Sequence, residues 1–323
     1  MTGQQLENVQ AQPTLEPILC PNWTGELAGK VSTETGLYPN EPLARRTTLR
    51  VGGPADLLVE PASEADLATA IRFGAAKGVP VFVLGRGSNL LIRDGGFRGI
   101  VICLSHPGFS KVEIQGERLI CGAGAKLKSV AVEARRRCLA GLEFLEGIPG
   151  SVGGALRMNA GAMGAWTFDV VESIRMMDLD GCITEKSARE LVVEYRACKT
   201  LERRIALQAV LRAWRESREK IEERMNEFSQ RRWKSQPAAP SAGCMFKNPA
   251  AIPAGKLIDE LGLKGTRVGG AVISPEHGNF IVNSGGATAK DVLALIELIQ
   301  RRARAERGVE LETEVEIVGE PEH

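Results

Sequence analysis

The sequence predicts an α+β protein. Three observations lead there: a strand–helix–strand unit near residues 56–84, antiparallel hairpins near 111–121 and 173–185, and long helices in the last third of the chain. Its 323 residues are enough for two or three domains with sizeable cores. With 43% hydrophobic and 25% charged residues, the composition is that of an ordinary globular chain. A net charge of +1 argues against an electrostatic nucleic-acid binder, and 5% aromatics leave few platforms for stacking bases.

No run is long and apolar enough to span a bilayer. Met1 to Pro13 carry no Lys or Arg and no apolar core, so no secretory signal is expected. The 7 cysteines are odd in number and form no Cys-x-x-Cys pair. Free thiols in a reducing cytoplasm follow, with neither a disulfide framework nor a metal site.

Taken in order, residues 1–42 are polar and broken by Pro13, Pro17, Pro21 and Pro39, which predicts a partly disordered extension. Asp56–Glu60 reads as a strand. Ser63 is a helix N-cap with Asp66 three residues on, Leu67, Ala70, Ile71 and Ala75 form the apolar face, and Gly78 ends the helix. Val81–Leu84 is a short buried strand. Gly99–Leu104 is another, and Lys111–Gln115 and Arg118–Cys121 form a hairpin about Gly116-Glu117. Lys126–Cys138 is an amphipathic helix. Its Arg135-Arg136-Arg137 is most simply a solvated end favoured by the helix dipole, with a phosphate-binding role as the alternative. Ser173–Leu179 and Cys182–Glu185 form a second hairpin, and Ala206–Trp214 is a strand. Ser217–Trp233 is a heavily charged helix read as a solvated connector. Ala254–Leu261 is a helix, Gly269–Ile273 and Asn279–Val282 are strands, and Thr288 caps a helix to Arg307. Glu310–Val318 alternates as a last strand, with Glu312, Glu314 and Glu316 on one face.

Two runs stand out chemically. Gly85-Arg86-Gly87-Ser88-Asn89-Leu90-Leu91 leaves the end of a strand, where α/β units bind phosphate. It is not a dinucleotide fingerprint, because Leu90 occupies the third glycine's place, and it lacks a Walker lysine. The second run, Glu143 to Gly164, holds Gly147, Gly150, Gly153, Gly154, Gly161 and Gly164. So few Cβ atoms let backbone N–H groups close around an anion, beside a helix start near Val152–Ala155. A loop packed against backbone is the alternative for either run alone. Together, two such cradles suit the two ends of a pyrophosphate-bearing cofactor.

In order along the chain, several pieces form a recognisable set. They are Thr48-Leu49-Arg50-Val51-Gly52-Gly53, Leu84 to Leu91, Gly147-Ile148-Pro149-Gly150-Ser151-Val152-Gly153-Gly154-Ala155 and Asn159-Ala160-Gly161-Ala162. Tyr195-Arg196, Gly243 to Pro249 and Glu312-Thr313-Glu314-Val315 complete it. The chain resembles the UDP-N-acetylenolpyruvoylglucosamine reductases, the MurB flavoenzymes of peptidoglycan synthesis, over roughly residues 45–319. The resemblance implies an FAD-binding domain of the vanillyl-alcohol-oxidase type in two subdomains, 43–105 and 106–216, and an α+β substrate domain over 217–319. It implies non-covalent FAD and NADPH, with hydride passing to C3 of the enolpyruvyl ether and a proton to C2.

On this resemblance the FAD contacts are Gly85, Arg86, Gly87, Ser88, Asn89, Leu90, Gly147, Ile148, Pro149, Gly150, Ser151, Gly153, Gly154, Ala155, Asn159, Gly161 and Ala162. Arg196 and Glu314 match catalytic positions. Tyr195, Lys234, Lys247, Asn248 and Lys264 are the substrate-side residues, Lys234 reaching the diphosphate or the NADPH phosphate. Cys244 stands where many members carry a serine proton donor. A thiol can also donate, and at its ordinary pKa of about 8.5 it would lose that proton in alkaline solution. The short spacing from Tyr195 through Trp214 to Cys244 leaves little room for the family's tyrosine lid loop, which points to the shorter type. A thiol hydrolase using Cys244 and His277 is the reading from another class. The expected partner is a small UDP-sugar substrate, with no nucleic acid, membrane insertion or protein partner, and the expected state is a cytoplasmic monomer.

Overall fold

The computed structural model describes residues 22–322. The expected extension therefore lies partly outside the described residues, and its end is folded. Trp23–Ala28 forms helix α1, whose Trp23 and Leu27 enter the main core. Gly36–Pro42 (β1) pairs antiparallel with Pro54–Glu60 (β2), placing Leu37 opposite Val59. Of the prolines that suggested disorder, Pro39 is within the described residues and is tolerated because it sits on an edge strand.

Strand β2 leads into helix α2 (Glu64–Lys77), capped by Ser63 and closed by Gly78 in the left-handed region, as the residue pattern requires. The apolar face turns a little from expectation: Phe73 and Gly74 are buried and Ala75 is exposed. Val81–Leu84 (β3), Leu90–Ile92 (β4) and Phe97–Cys103 (β5) follow. The first sheet runs β1-β2-β5-β3, its last three strands parallel. Strand β3 is only half-buried: Val81, Phe82 and Val83 line a cleft, with Val81 and Phe82 also packed against the edges of the cores.

The second sheet has five antiparallel strands in the order Ile183–Ser187, Val171–Asp178, Arg204–Arg212, Arg118–Gly122 (β7) and Val112–Gln115 (β6). Helix α3 (Leu127–Arg136) packs Leu127, Val130, Ala131 and Ala134 into the core that the two sheets share. Short helices α4 (Val152–Arg157) and α5 (Thr167–Val170) follow. One turn of 3-10 helix, Ala188–Glu190, precedes the strand Val193–Glu194. Helix α6 (Arg218–Ser235) is more than a connector. Ile221 and Met225 are buried, and Arg224 reaches the buried Glu143 at 2.7 Å.

The third sheet orders Ser241–Cys244, Phe280–Asn283, Ala271–Ile273 and Arg267–Val268, with helices α7 (Ala254–Glu260) and α8 (Ala289–Arg307) against it. Its separate core also takes Leu49 and Val51 from the far end of the chain. The last strand is shorter than its alternation suggests. Glu316–Val318 pairs in parallel with β4, and Thr313 makes an isolated antiparallel bridge to Phe246. Among the described residues, no helix is long and apolar enough to cross a membrane.

Candidate active site

A cleft of about 1200 Å³ opens among the three sheets. Its first wall is the loop leaving β3. There Gly87 has φ +59, and a Cβ on it would lie 2.6 Å from the Arg46 carbonyl oxygen and 2.7 Å from Thr47 Cα. Only glycine fits so close to backbone in that conformation. Thr48 holds the loop from behind: its N–H donates to the Gly87 carbonyl at 3.1 Å and its hydroxyl to the Ser241 carbonyl at 2.7 Å. The second wall is Gly147–Ser151, with the Ser151 hydroxyl accepting the Gly154 N–H. A Cβ on Gly85 would come within 3.0 Å of that hydroxyl, so the two cradles touch.

A third run of small residues, Gly122-Ala123-Gly124-Ala125, joins them. The Val152 and Gly153 N–H groups donate to the Ala125 and Ala123 carbonyls at 2.9 and 2.8 Å. A Cβ on Gly124 would fall 1.8 Å from the Leu104 carbonyl oxygen. Ala123, Gly124 and Ala125 line the cleft and were not anticipated. The signal was present: small residues following a strand, as at Gly85.

The cradles suit a flavin nucleotide. Among the described residues, the N–H groups of Arg86, Gly87, Ser88, Asn89, Gly150 and Ser151 donate to no other group of the chain, and all six residues line the cleft. Unspent donors in a concave wall are what a pyrophosphate requires. Of the residues expected on the cofactor, all but Asn159 line this cleft. Asn159 is buried at φ +39 and works as a brace. Its Nδ2 donates to the Glu194 carbonyl, and its Oδ1 accepts the Phe168 N–H, both at 3.3 Å.

Arg196, Cys244 and Glu314 come together in the same cleft from three distant segments. Tyr195-Arg196 is the tip of a tight hairpin, Val193–Glu194 paired with Ala197–Cys198, and Arg196 takes the positive φ of +59 at its second position. Cys244 ends the strand that pairs with Phe280. Glu314 is threaded between them: its N–H donates to the Met245 carbonyl at 2.8 Å, and Asn89 Nδ2 donates to its carbonyl at 3.0 Å. The strand alternation therefore fails where it matters. The Glu314 side chain is 11% exposed and Glu312 is 75% exposed.

Arg196 Nε lies 2.8 Å from Glu314 Oε1. The contact is an ion pair by distance only, since buried Nε has no acceptor at hydrogen-bonding angle. Burial raises the Glu314 carboxyl above the usual carboxylate range, against the opposing pull of Arg196. Burial pushes the Cys244 thiol up to about 12; the Glu314 charge adds to this and the Arg196 charge opposes it. Burial thus favours the protonated thiol, a direction opposite to the expected early alkaline loss.

Five residues expected on the substrate stand outside the cleft lining. Lys247 pairs with Glu312 at 3.0 Å and Lys264 with Asp259 at 2.8 Å, while Asn248 Oδ1 accepts the Ala254 N–H at the start of α7. Tyr195 lies beside the Arg196 guanidinium, 48% exposed. Lys234 is exposed on the last turn of α6, and its neighbours Arg232 and Trp233 face the cleft in its place. Arg203 and Arg204 also line it, and no pattern in the sequence marked them. The Cys–His pairing of the hydrolase reading is not formed. His277 is outside the cleft, its Nδ1 accepting the Asn279 N–H and its ring against Phe280.

Comparison with known proteins agrees with this geometry. A profile described as an FAD binding domain matches residues 55–187, and one described as the UDP-N-acetylenolpyruvoylglucosamine reductase C-terminal domain matches 236–318. The UDP-N-acetylenolpyruvoylglucosamine reductase of Caldanaerobacter subterraneus is 43% identical over 90% of this chain and 96% of its own. The enzyme of the same name from Pelobacter propionicus is 45% identical over 88% and 96%. The chain belongs to this reductase family. The crystal structure of the Thermus caldophilus reductase superposes with a TM-score of 0.75 at 40% identity, covering 88% of this chain and 98% of that one. The fold is thus α+β, with an FAD-binding domain ahead of the family's C-terminal domain.

Proposed function

We propose that this chain reduces UDP-N-acetylglucosamine enolpyruvate to UDP-N-acetylmuramate, with Arg196, Glu314 and Cys244 around the reacting carbons. FAD held by the three small-residue runs supplies, when bound, a two-electron relay from NADPH to C3 of the enol ether. The chain's own residues meet the rest of the chemistry. Charge that develops on C2 and its carboxylate needs fixed donors. The Arg196 guanidinium is always charged and its fork matches a carboxylate, so it polarises the substrate without giving up a proton. Glu314 balances that charge from one side, at 2.8 Å.

The Cys244 thiol carries the proton for C2. Burial keeps it protonated until it is used, and the nearby Arg196 charge lowers the cost of the thiolate left behind. The thiolate then recovers a proton from solvent. The observation that carries this reading is the meeting of a buried acid, a fixed cation and a carboxylate in a cleft walled by unspent N–H donors. Arg203, Arg204 and Arg232 line the cleft together with Arg45, Arg50, Arg86, Lys126 and Arg157, and from this set come the cations for the substrate diphosphate. The 6 described cysteines are unpaired, which suits a reducing cytoplasm, and we place the enzyme there as a monomer.

The test is anaerobic. NADPH should bleach the yellow protein, and the enolpyruvyl sugar nucleotide should restore its colour. Colourless protein that cannot be reconstituted with FAD would overturn the assignment. Light scattering on the eluted peak reads the oligomeric state, and a dimer mass would reject the monomer.

A further inference from the structure

The Arg196 guanidinium carries a catalytic role, yet its buried Nε makes no aligned hydrogen bond. An arginine with three or four rotatable bonds needs something else to hold it. Two rings do so: the guanidinium carbon lies 5.3 Å from the centroid of Trp166 and 5.4 Å from that of Tyr195. The rings brace each other, edge to face, at 5.7 Å. Tyr195 is Arg196's own neighbour on the hairpin tip and is 48% exposed, so it moves with the hairpin. Trp166 comes from a different element.

Trp166 is itself fixed by its surroundings. It closes a miniature hairpin, Gly161–Ala162 against Ala165–Trp166, whose two corner residues Met163 and Gly164 both have positive φ, +55 and +84. A pair of positive φ values is what the tightest hairpin turn demands. The Trp166 N–H donates to Asp169 Oδ2 at 2.8 Å, the start of α5. The indole is seated on a residue that must be glycine: a Cβ on Gly161 would lie 2.4 Å from Trp166 Cε3. Gly161 thus does two things, lining the cleft with one side and receiving the indole with the other. Trp166 does not line the cleft, so it reaches the chemistry only through Arg196.

We infer that Trp166 is a positioning residue for the reductive step, its ring holding the Arg196 guanidinium at the cleft while leaving its N–H groups for the substrate carboxylate. A ring contact of this kind is made through the π face and consumes no hydrogen-bond donor, whereas a second carboxylate partner would. Tyr195, Trp166 and Glu314 therefore orient the cation between them. The inference rests on the carboxylate-binding role proposed for Arg196.

The experiment uses the FAD-loaded enzyme and separates the two half-reactions under anaerobic conditions. Trp166→Leu and Trp166→Met remove the ring and keep an apolar side chain; Trp166→Phe keeps a ring. Bleaching by NADPH should proceed at the native rate in all three. Return of colour on adding the enolpyruvyl substrate should slow about tenfold or more in the Leu and Met variants, the factor a contact of this class is worth. Trp166→Phe should recover most of that loss. Equal slowing of both half-reactions, no slowing of the second, or loss of FAD from both ring-less variants would overturn the inference and leave Trp166 a structural residue. Native enzyme that does not bleach with NADPH, or does not recolour with substrate, would instead count against the proposed function.

Discussion

At the scale of single residues, the proton donor and its neighbours carry the sharpest expectations. Cys244→Ala should retain FAD and lose turnover by about a hundredfold or more, the usual contribution of a positioned general acid. Cys244→Ser keeps a proton to give and should fall less; native turnover in Cys244→Ala would remove Cys244 from the mechanism. Because burial pushes the thiol up to about 12, turnover should stay level to about pH 10. A fall centred near pH 8.5, the ordinary thiol range, would mean that the group is solvated in the working enzyme.

Glu314 gives a prediction of opposite sign for stability. Its folded pKa is raised, so the stability linked to it is fully present below the ordinary carboxylate pKa and is lost as pH rises through the raised value. At neutral pH the ionised side chain is a strain on the fold. Glu314→Gln should therefore keep or raise Tm at pH 7 while lowering turnover, and the difference in Tm should vanish in acid. A large drop in Tm at pH 7 would mean that the pair with Arg196 outweighs the burial.

At the scale of elements, the loop after β3 works because its residues carry almost no side chain where backbone meets backbone. Gly87→Ala forces a Cβ to 2.6 Å from the Arg46 carbonyl oxygen at φ +59. The left-handed conformation alone costs about 1–2 kcal/mol for a residue with a Cβ. The variant should fold with native far-UV dichroism and lose most of its flavin absorbance. Full occupancy by FAD would show that the loop relaxes and that this cradle is not tuned to the cofactor. Arg196 at φ +59 and Met163 at φ +55 are non-glycine residues held in the left-handed region at hairpin turns.

At the scale of the molecule, the catalytic cluster exists only because the C-terminal sheet is fastened to the FAD-binding unit. Thr48 bridges Gly87 and Ser241, Asn283 Nδ2 donates to the Leu49 and Arg50 carbonyls, and Asp94 accepts the Ala289 and Lys290 N–H groups at 2.8 and 2.9 Å. The Asp94 contacts cap α8 from another domain, with a negative charge at the positive end of the helix dipole. Asp94→Ala should cost about 1 kcal/mol and lower Tm by about 2 °C, with FAD retained. A melt unchanged within error would mean that solvent or Thr288 caps the helix equally well.

The sequence by itself determined the elements and the cradles. Ser63, Gly78 and Thr288 mark helix ends through local hydrogen bonding, and the runs at Gly85 and Gly147 stand out by their want of side chains, most tightly required at Gly87 against the Arg46 and Thr47 backbone. The order of motifs was enough to point to the family. Other features were beyond it, for reasons of distance along the chain. Gly36–Pro42 is ordered by pairing with β2, Glu314 is buried because Asn89 and Met245 hold its backbone, and Lys247 and Lys264 are engaged by Glu312 and Asp259. Only the tertiary structure decided which carboxylate of the alternating Glu312, Glu314 and Glu316 faces the cation. Only it set the acidity of Cys244, because desolvation depends on what is packed around a group and not on its neighbours in sequence.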